Sequence, residues 1–137
     1  MPASKVHLSP LPLTQSQPDP AADYATALEK FATLQSLDGD DLNPVCHSTL
    51  LTHDRKTDRV VVLLHGITNC PQQYATFAPQ LFERGCNVFI PRMPRNGLAD
   101  RMTNELQHLK AQELRTFCDD ICDIAAGLGD RVVVTGL

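Results

Sequence analysis

The apolar positions along this chain follow two different periods. Val60-Val61-Val62-Leu63-Leu64 is an unbroken apolar run of strand length, which predicts a strand buried on both faces. Asn87 to Pro91 and Arg131 to Thr135 are shorter runs of the same kind. Between them the spacing turns helical, with Tyr74, Phe77, Ala78, Leu81 and Phe82 on one face of the first stretch. Pro79 lies inside that stretch, so either a helix kinks there or a short turn precedes a helix starting near Pro79. Leu114, Phe117, Cys118, Ile121, Ile124, Ala125 and Leu128 stripe a longer helix from about Ala111 to Ala126, closed by Gly127 and Gly129. The order strand, helix, strand, helix, strand predicts an α/β fold whose mostly parallel sheet carries helices on its faces. Chemistry in such sheets gathers at the carboxyl ends of the strands.

Upstream of Val60 the pattern is less regular. Residues 1–18, with Pro2, Pro10, Pro12 and Pro18 among scattered Ser and Gln, read as a flexible tail. Asp19 and Pro20 predict a helix start, Tyr24, Ala27, Leu28, Phe31 and Leu34 its apolar face, and Gly39 its end. Cys46 to Thr52 forms a candidate first strand, followed by a polar turn to Asp58. The expected organisation is a tail at 1–18, a helix and first strand at 19–58, and a core at 59–137.

Composition narrows the function classes. The 137 residues suit a single domain, and 42% hydrophobic content is enough for a core. A net charge of −4 offers no basic footprint for nucleic acid. No stretch approaches the ~18 apolar residues of a membrane span, and prolines interrupt any signal-peptide core, so the expected location is cytoplasmic. Five cysteines, an odd number without a CxxC pair, point to neither a disulfide framework nor a zinc site. Cys118 and Cys122, four apart, are expected to share the packed side of a helix.

Three strand ends carry candidate chemistry. After Leu64 comes His65-Gly66-Ile67-Thr68-Asn69-Cys70-Pro71, where a glycine permits a sharp turn that leaves backbone N–H groups facing a site. After the second strand comes Pro91-Arg92-Met93-Pro94-Arg95-Asn96-Gly97, and after the third Gly136-Leu137. Cys70, at a helix start, is a candidate capping or reactive thiol. His7, His47, His53 and His108 have no neighbouring Ser or Asp arrangement that marks them as catalytic. Gly127-Leu128-Gly129-Asp130 precedes a strand and lacks a third glycine, so it does not read as a phosphate loop.

Taken in order, these segments resemble the first half of an α/β-hydrolase core of the bacterial carboxylesterase or lipase type. His-Gly after the strand resembles the start of the oxyanion loop, Pro91 to Gly97 resembles the P-R-x-P-G-H-G segment, and V-V-V-T-G-L resembles the approach to the G-x-S-x-G elbow. Arg95-Asn96 departs from that pattern by replacing its Gly-His. The resemblance implies a backbone oxyanion donor at Ile67, a pocket drawn from His65, Gly66, Thr68, Asn96 and Gly97, and elbow flanks at Gly136 and Leu137. It gives His65 a structural role and places serine, acid and histidine in that order beyond Leu137. The implied reaction is hydrolysis of a small-molecule ester with no cofactor and no metal, and the chain as given is expected to be inactive. The expected sheet ends on an open strand edge, which invites self-association. The alternatives are a non-catalytic binding or scaffold remnant, or a relative with dehalogenase, epoxide hydrolase or acyltransferase chemistry.

Overall fold

A computed structural model describes residues 13–137 and shows a four-stranded sheet between two helical layers. The strands are β1 (Thr49–Leu51), β2 (Thr57–Leu64), β3 (Asn87–Ile90) and β4 (Gly129–Gly136), in the order β1-β3-β2-β4. β2 runs parallel to both neighbours, with Val61 opposite Val88 and Val133, while β1 is antiparallel to β3. The sheet is therefore mostly parallel, and the α/β expectation holds at that level. The chain leaves β2 for β3 on one side and returns to β4 on the other, which makes a topological switch at the carboxyl end of β2.

The alternation of β2 sorts its apolar run onto two faces. Val60 and Val62 pack with Phe89 against α1 (Tyr24–Ser36) and α3 (Ala111–Leu128). Val61 and Leu63 pack with Val88 and Ile90 against α2 (Ala78–Glu83) and the 3₁₀ turn Pro71–Tyr74. Phe31 of α1 meets Phe89 edge-on, with ring centroids 5.8 Å apart. At the opposite end of the sheet, the buried Asn87 amide accepts from His53 N–H and donates to the Arg55 and Leu128 carbonyls.

Several boundaries differ from the sequence expectation. Asp23, not Asp19, caps α1, accepting from Thr26 N–H at 2.8 Å, and the helix ends at Ser36 with Leu37 as its C-cap rather than at Gly39. Asp19 instead donates its N–H to Asp123 and pairs with Lys30. The choice at Pro79 resolves in favour of a short turn, because α2 starts at Ala78 and proline occupies its unbonded first turn. α3 continues through Gly127 to Leu128. Of the expected tail, residues 1–12 lie outside the described range, but Gln15, Ser16 and Gln17 hydrogen-bond to Gln112 and Asp119 along α3. Cys118 and Cys122 are exposed on α3 rather than packed, because the buried stripe runs through Phe117, Ile121, Ile124 and Ala125.

At Gly127, α3 packs closely against the start of α1. A Cβ there would lie 2.4 Å from the Asp23 carbonyl and 2.7 Å from Ala27 Cβ. Alanine is favoured over glycine by about 1 kcal/mol within a helix, but overpacking against fixed backbone costs about 1–3 kcal/mol. Gly127→Ala is therefore expected to destabilise the fold, read as a lower urea midpoint. An unchanged or raised midpoint would show that the two helices can separate freely.

Candidate active site

The turn at the carboxyl end of β2 is built by four hydrogen bonds. Asn69 N–H donates to the Gly66 carbonyl at 2.8 Å, closing a β-turn with Ile67 and Thr68 at its centre. Gly66 N–H donates to Gln73 Oε1 at 2.9 Å, and Cys70 N–H donates to Asn69 Oδ1 at 2.9 Å. Tyr74 hydroxyl donates to the Leu64 carbonyl at 2.8 Å, which fixes the last strand residue. Among the described residues, the Ile67 and Thr68 N–H groups have no protein acceptor. The Ile67 side chain is 58% exposed, so the turn's crest faces solvent.

His65 lies beneath that turn and is only 2% exposed. Its Nδ1 is 2.9 Å from the Gly66 carbonyl, and its Nε2 accepts from Met93 N–H at 3.0 Å. These partners assign the neutral Nδ1–H tautomer. Both nitrogens are committed to backbone, so His65 neither lines a cleft nor takes a proton from a substrate. It ties the loop after β2 to the loop after β3.

The second loop is anchored by charge. Arg92 Nε is 2.7 Å from Asp38 Oδ1, with both side chains largely buried, and Ser48 N–H reaches the same carboxylate. Arg92 also donates to the Asn96 carbonyl, and Arg92 N–H donates to Ser48 Oγ. Arg95 spans Glu113 at 2.9 Å and Glu105 at 2.7 Å, and its guanidinium holds the Glu113 carboxyl below its ordinary value. Arg95 (φ 63) and Gly97 (φ 76) both adopt left-handed backbone, and a Cβ on Gly97 would sit 2.7 Å from Cys46 Cβ. The Asn96 side chain is buried, and its amide has no partner among the described residues.

A disulfide corrects the cysteine reading. Cys46, on the 3₁₀ turn Pro44–Cys46, is bonded to Cys70, which precedes the turn Pro71–Tyr74. Cys70 is therefore not a free thiol and makes no side-chain cap. Closing a loop between positions 24 apart constrains the unfolded chain by roughly 3–4 kcal/mol in the chain-entropy model. The spacing gave no sign of this pairing, because the contact is made by two loops that only the β2–β3 crossover brings together.

Five of the sequence-derived site residues line two clefts, and His65, Gly66 and Ile67 line neither of them. Thr68, Asn96 and Gly97 line one of about 570 Å³, together with Cys46, Cys70 and Gln73. Gly136 and Leu137 line another of about 340 Å³ with Gln73, Tyr74, Phe77 and Thr135. Gly66 lies between them, and a Cβ built on it would be 4.0 Å from the Leu137 carbonyl oxygen. Leu137 N–H donates to the Leu64 carbonyl at 3.3 Å, so the end of β4 runs beside the turn after β2. Gln73, which holds Gly66 and lines both clefts, carried no signal in the sequence. His53 is stacked on Phe82, His47 is 3.4 Å from Asp38, and His7 lies outside the described residues. No group of three or more potential metal ligands is found among the described residues, and none of their helices is long and apolar enough to cross a membrane.

Burial holds the His65 imidazole below its ordinary value of 6.5; the Gly66 bond opposes this shift and the Arg92 charge adds to it. The unfolded chain therefore takes up this proton near 6.5, while the folded chain takes it up only at lower pH. His65's contribution to stability is complete above 6.5 and is lost as pH falls toward the folded value. Urea midpoints should fall between about pH 7.5 and 5.5 in the native chain, and fall less in His65→Asn. Equal pH slopes in the two would show that His65 is not buried neutral. Protein-family models, curated proteins and solved structures give no match to this chain.

Proposed function

We propose that residues 59–137 form the first half of an α/β-hydrolase-type core, in which the Ile67 N–H stabilises the oxyanion formed during ester hydrolysis. The single observation that carries this reading is the Ile67 N–H, without an acceptor among the described residues, at the crest of a hydrogen-bonded turn beside the end of β4. A donor already paired within the protein would have to break a bond before serving a transition state; this one does not.

In this reading a serine follows Gly136-Leu137 at the switch point between β2 and β4. It attacks the ester carbonyl while a histidine, oriented by an acid, takes its proton; the histidine returns that proton to the alcohol as the ester C–O bond breaks, and water then releases the acyl group from the serine. The carbonyl oxygen becomes negative and draws the Ile67 N–H, with a second donor from the residue after the serine. The cleft at Thr68, Asn96 and Gly97 receives one side of the ester. His65 holds the turn and does no proton transfer.

A second reading draws on the outer edge of β4. Among the described residues that strand pairs only with β2, and Val132, Val133 and Val134 are 44%, 42% and 51% exposed. An edge of this kind is a template for strand pairing, which suits a binding module that self-associates. In the hydrolase reading, later strands and a helix cover the same edge. The Cys46–Cys70 bond bears on location in either case. Disulfides persist in oxidising compartments, so the bond favours such a compartment over the expected cytoplasm.

The test uses two polypeptides. Residues 1–137 alone should neither hydrolyse p-nitrophenyl acetate nor react with a fluorophosphonate. A protein in which the coding sequence continues Ser-x-Gly after Leu137 should be labelled at that serine. In that protein Ile67→Pro removes the donor at a turn position that suits proline, and kcat should fall about 10²–10³-fold. Labelling of residues 1–137, or a continuation without a nucleophile, would overturn the hydrolase reading.

A further inference from the structure

The turn carrying the Ile67 N–H has little support of its own. The 3₁₀ turn that follows it is four residues long, and Cys70 at its head makes no capping bond. Apart from His65 Nδ1 on the Gly66 carbonyl, the hydrogen bonds that shape residues 66–70 come from within residues 66–73. Beside the His65 link to Met93, what ties this segment to a distant part of the chain is the bond from Cys70 to Cys46. Cys46 is itself fixed. It lies beneath Gly97, whose lack of a Cβ admits it, and Asn43 N–H in the same turn donates to the Gly97 carbonyl at 2.9 Å. Cys46 and Cys70 pack with Leu42 as a small apolar cluster, and both are under 10% exposed.

We infer that the Cys46–Cys70 disulfide is the positioning device for the Ile67 donor, clamping the turn after β2 to the loop after β3 through the turn at Pro44–Cys46. The inference rests on the reading of Ile67 as an oxyanion donor, but its physical content is the order of residues 66–70. His65 secures the same two loops from below, and the disulfide secures them from above. A consequence is that the order of the donor turn depends on redox state. With a dithiol reductant, Cys46 and Cys70 each gain one electron and one proton, while the reductant's two thiols close to a cyclic disulfide.

The experiment is hydrogen–deuterium exchange, read by peptide mass spectrometry, on the native chain, the chain reduced by dithiothreitol, and Cys46→Ser/Cys70→Ser. A non-reducing digest first establishes the Cys46–Cys70 crosslink. The peptide containing residues 65–70 should then exchange about tenfold faster in the reduced and double-serine forms, as Gly66, Asn69 and Cys70 lose protection. Peptides from β2 and α3 should stay within about twofold of the native chain. Loss of a merely stabilising crosslink would raise exchange across all three regions alike, and that outcome overturns the inference. So does an unchanged 65–70 peptide, or a native chain without the crosslink. This pattern is independent of the serine test: a chain without hydrolase chemistry would still show it.

Discussion

A buried imidazole holds this site together. His65 occupies a position where each ring nitrogen meets backbone from a different loop, the Gly66 carbonyl after β2 and the Met93 N–H after β3. A neutral ring with one donor and one acceptor is the only state that satisfies both. Protonation would set an Nε2–H donor against the Met93 N–H and leave Met93 unpaired in a buried setting, at a cost of about 1–3 kcal/mol. The requirement that His65 stay neutral therefore shapes the turn, its free N–H groups and the adjoining clefts.

The sheet supplies the frame for that contact. β2 is flanked on both sides, and its two faces are covered by α2 on one side and by α1 and α3 on the other. Such a strand has little freedom to shift, and its last residue is fixed further by Tyr74 and Leu137 on the Leu64 carbonyl. Rigidity delivered to the end of β2 is useful only if the following turn keeps it. His65, Gln73 and the Cys46–Cys70 bond maintain it over six residues. Among the described residues, the Ile67 and Thr68 N–H groups are left without an acceptor at the crest.

Much of the frame was legible from hydrophobic period alone. The run Val60–Leu64 announces a strand buried on both faces, and the stripe from Leu114 to Leu128 announces α3. What stayed hidden depends on contacts between distant segments. Asp23 outcompetes Asp19 as a cap because Asp19 is drawn to Asp123 and Lys30. α3 passes through Gly127 without stopping, because the glycine serves a close approach to α1 rather than a helix end. The disulfide joins two loops whose proximity no local pattern encodes. At the site, His65, Gly66 and Ile67 were readable as a turn, but the sequence grouped His65 with the pocket and the structure places it underneath. Gln73 gave no sign, since its role depends on a turn folding back seven residues.

The most direct measurement is the ring nitrogen spectrum of His65 by ¹⁵N NMR, followed across its ordinary titration range. The structure predicts the neutral Nδ1–H tautomer above and through 6.5, with protonation displaced to lower pH. An Nε2–H tautomer, or protonation centred on the ordinary value, would contradict it. The two loops would then not be joined through His65, and the account of the Ile67 donor would lose its foundation.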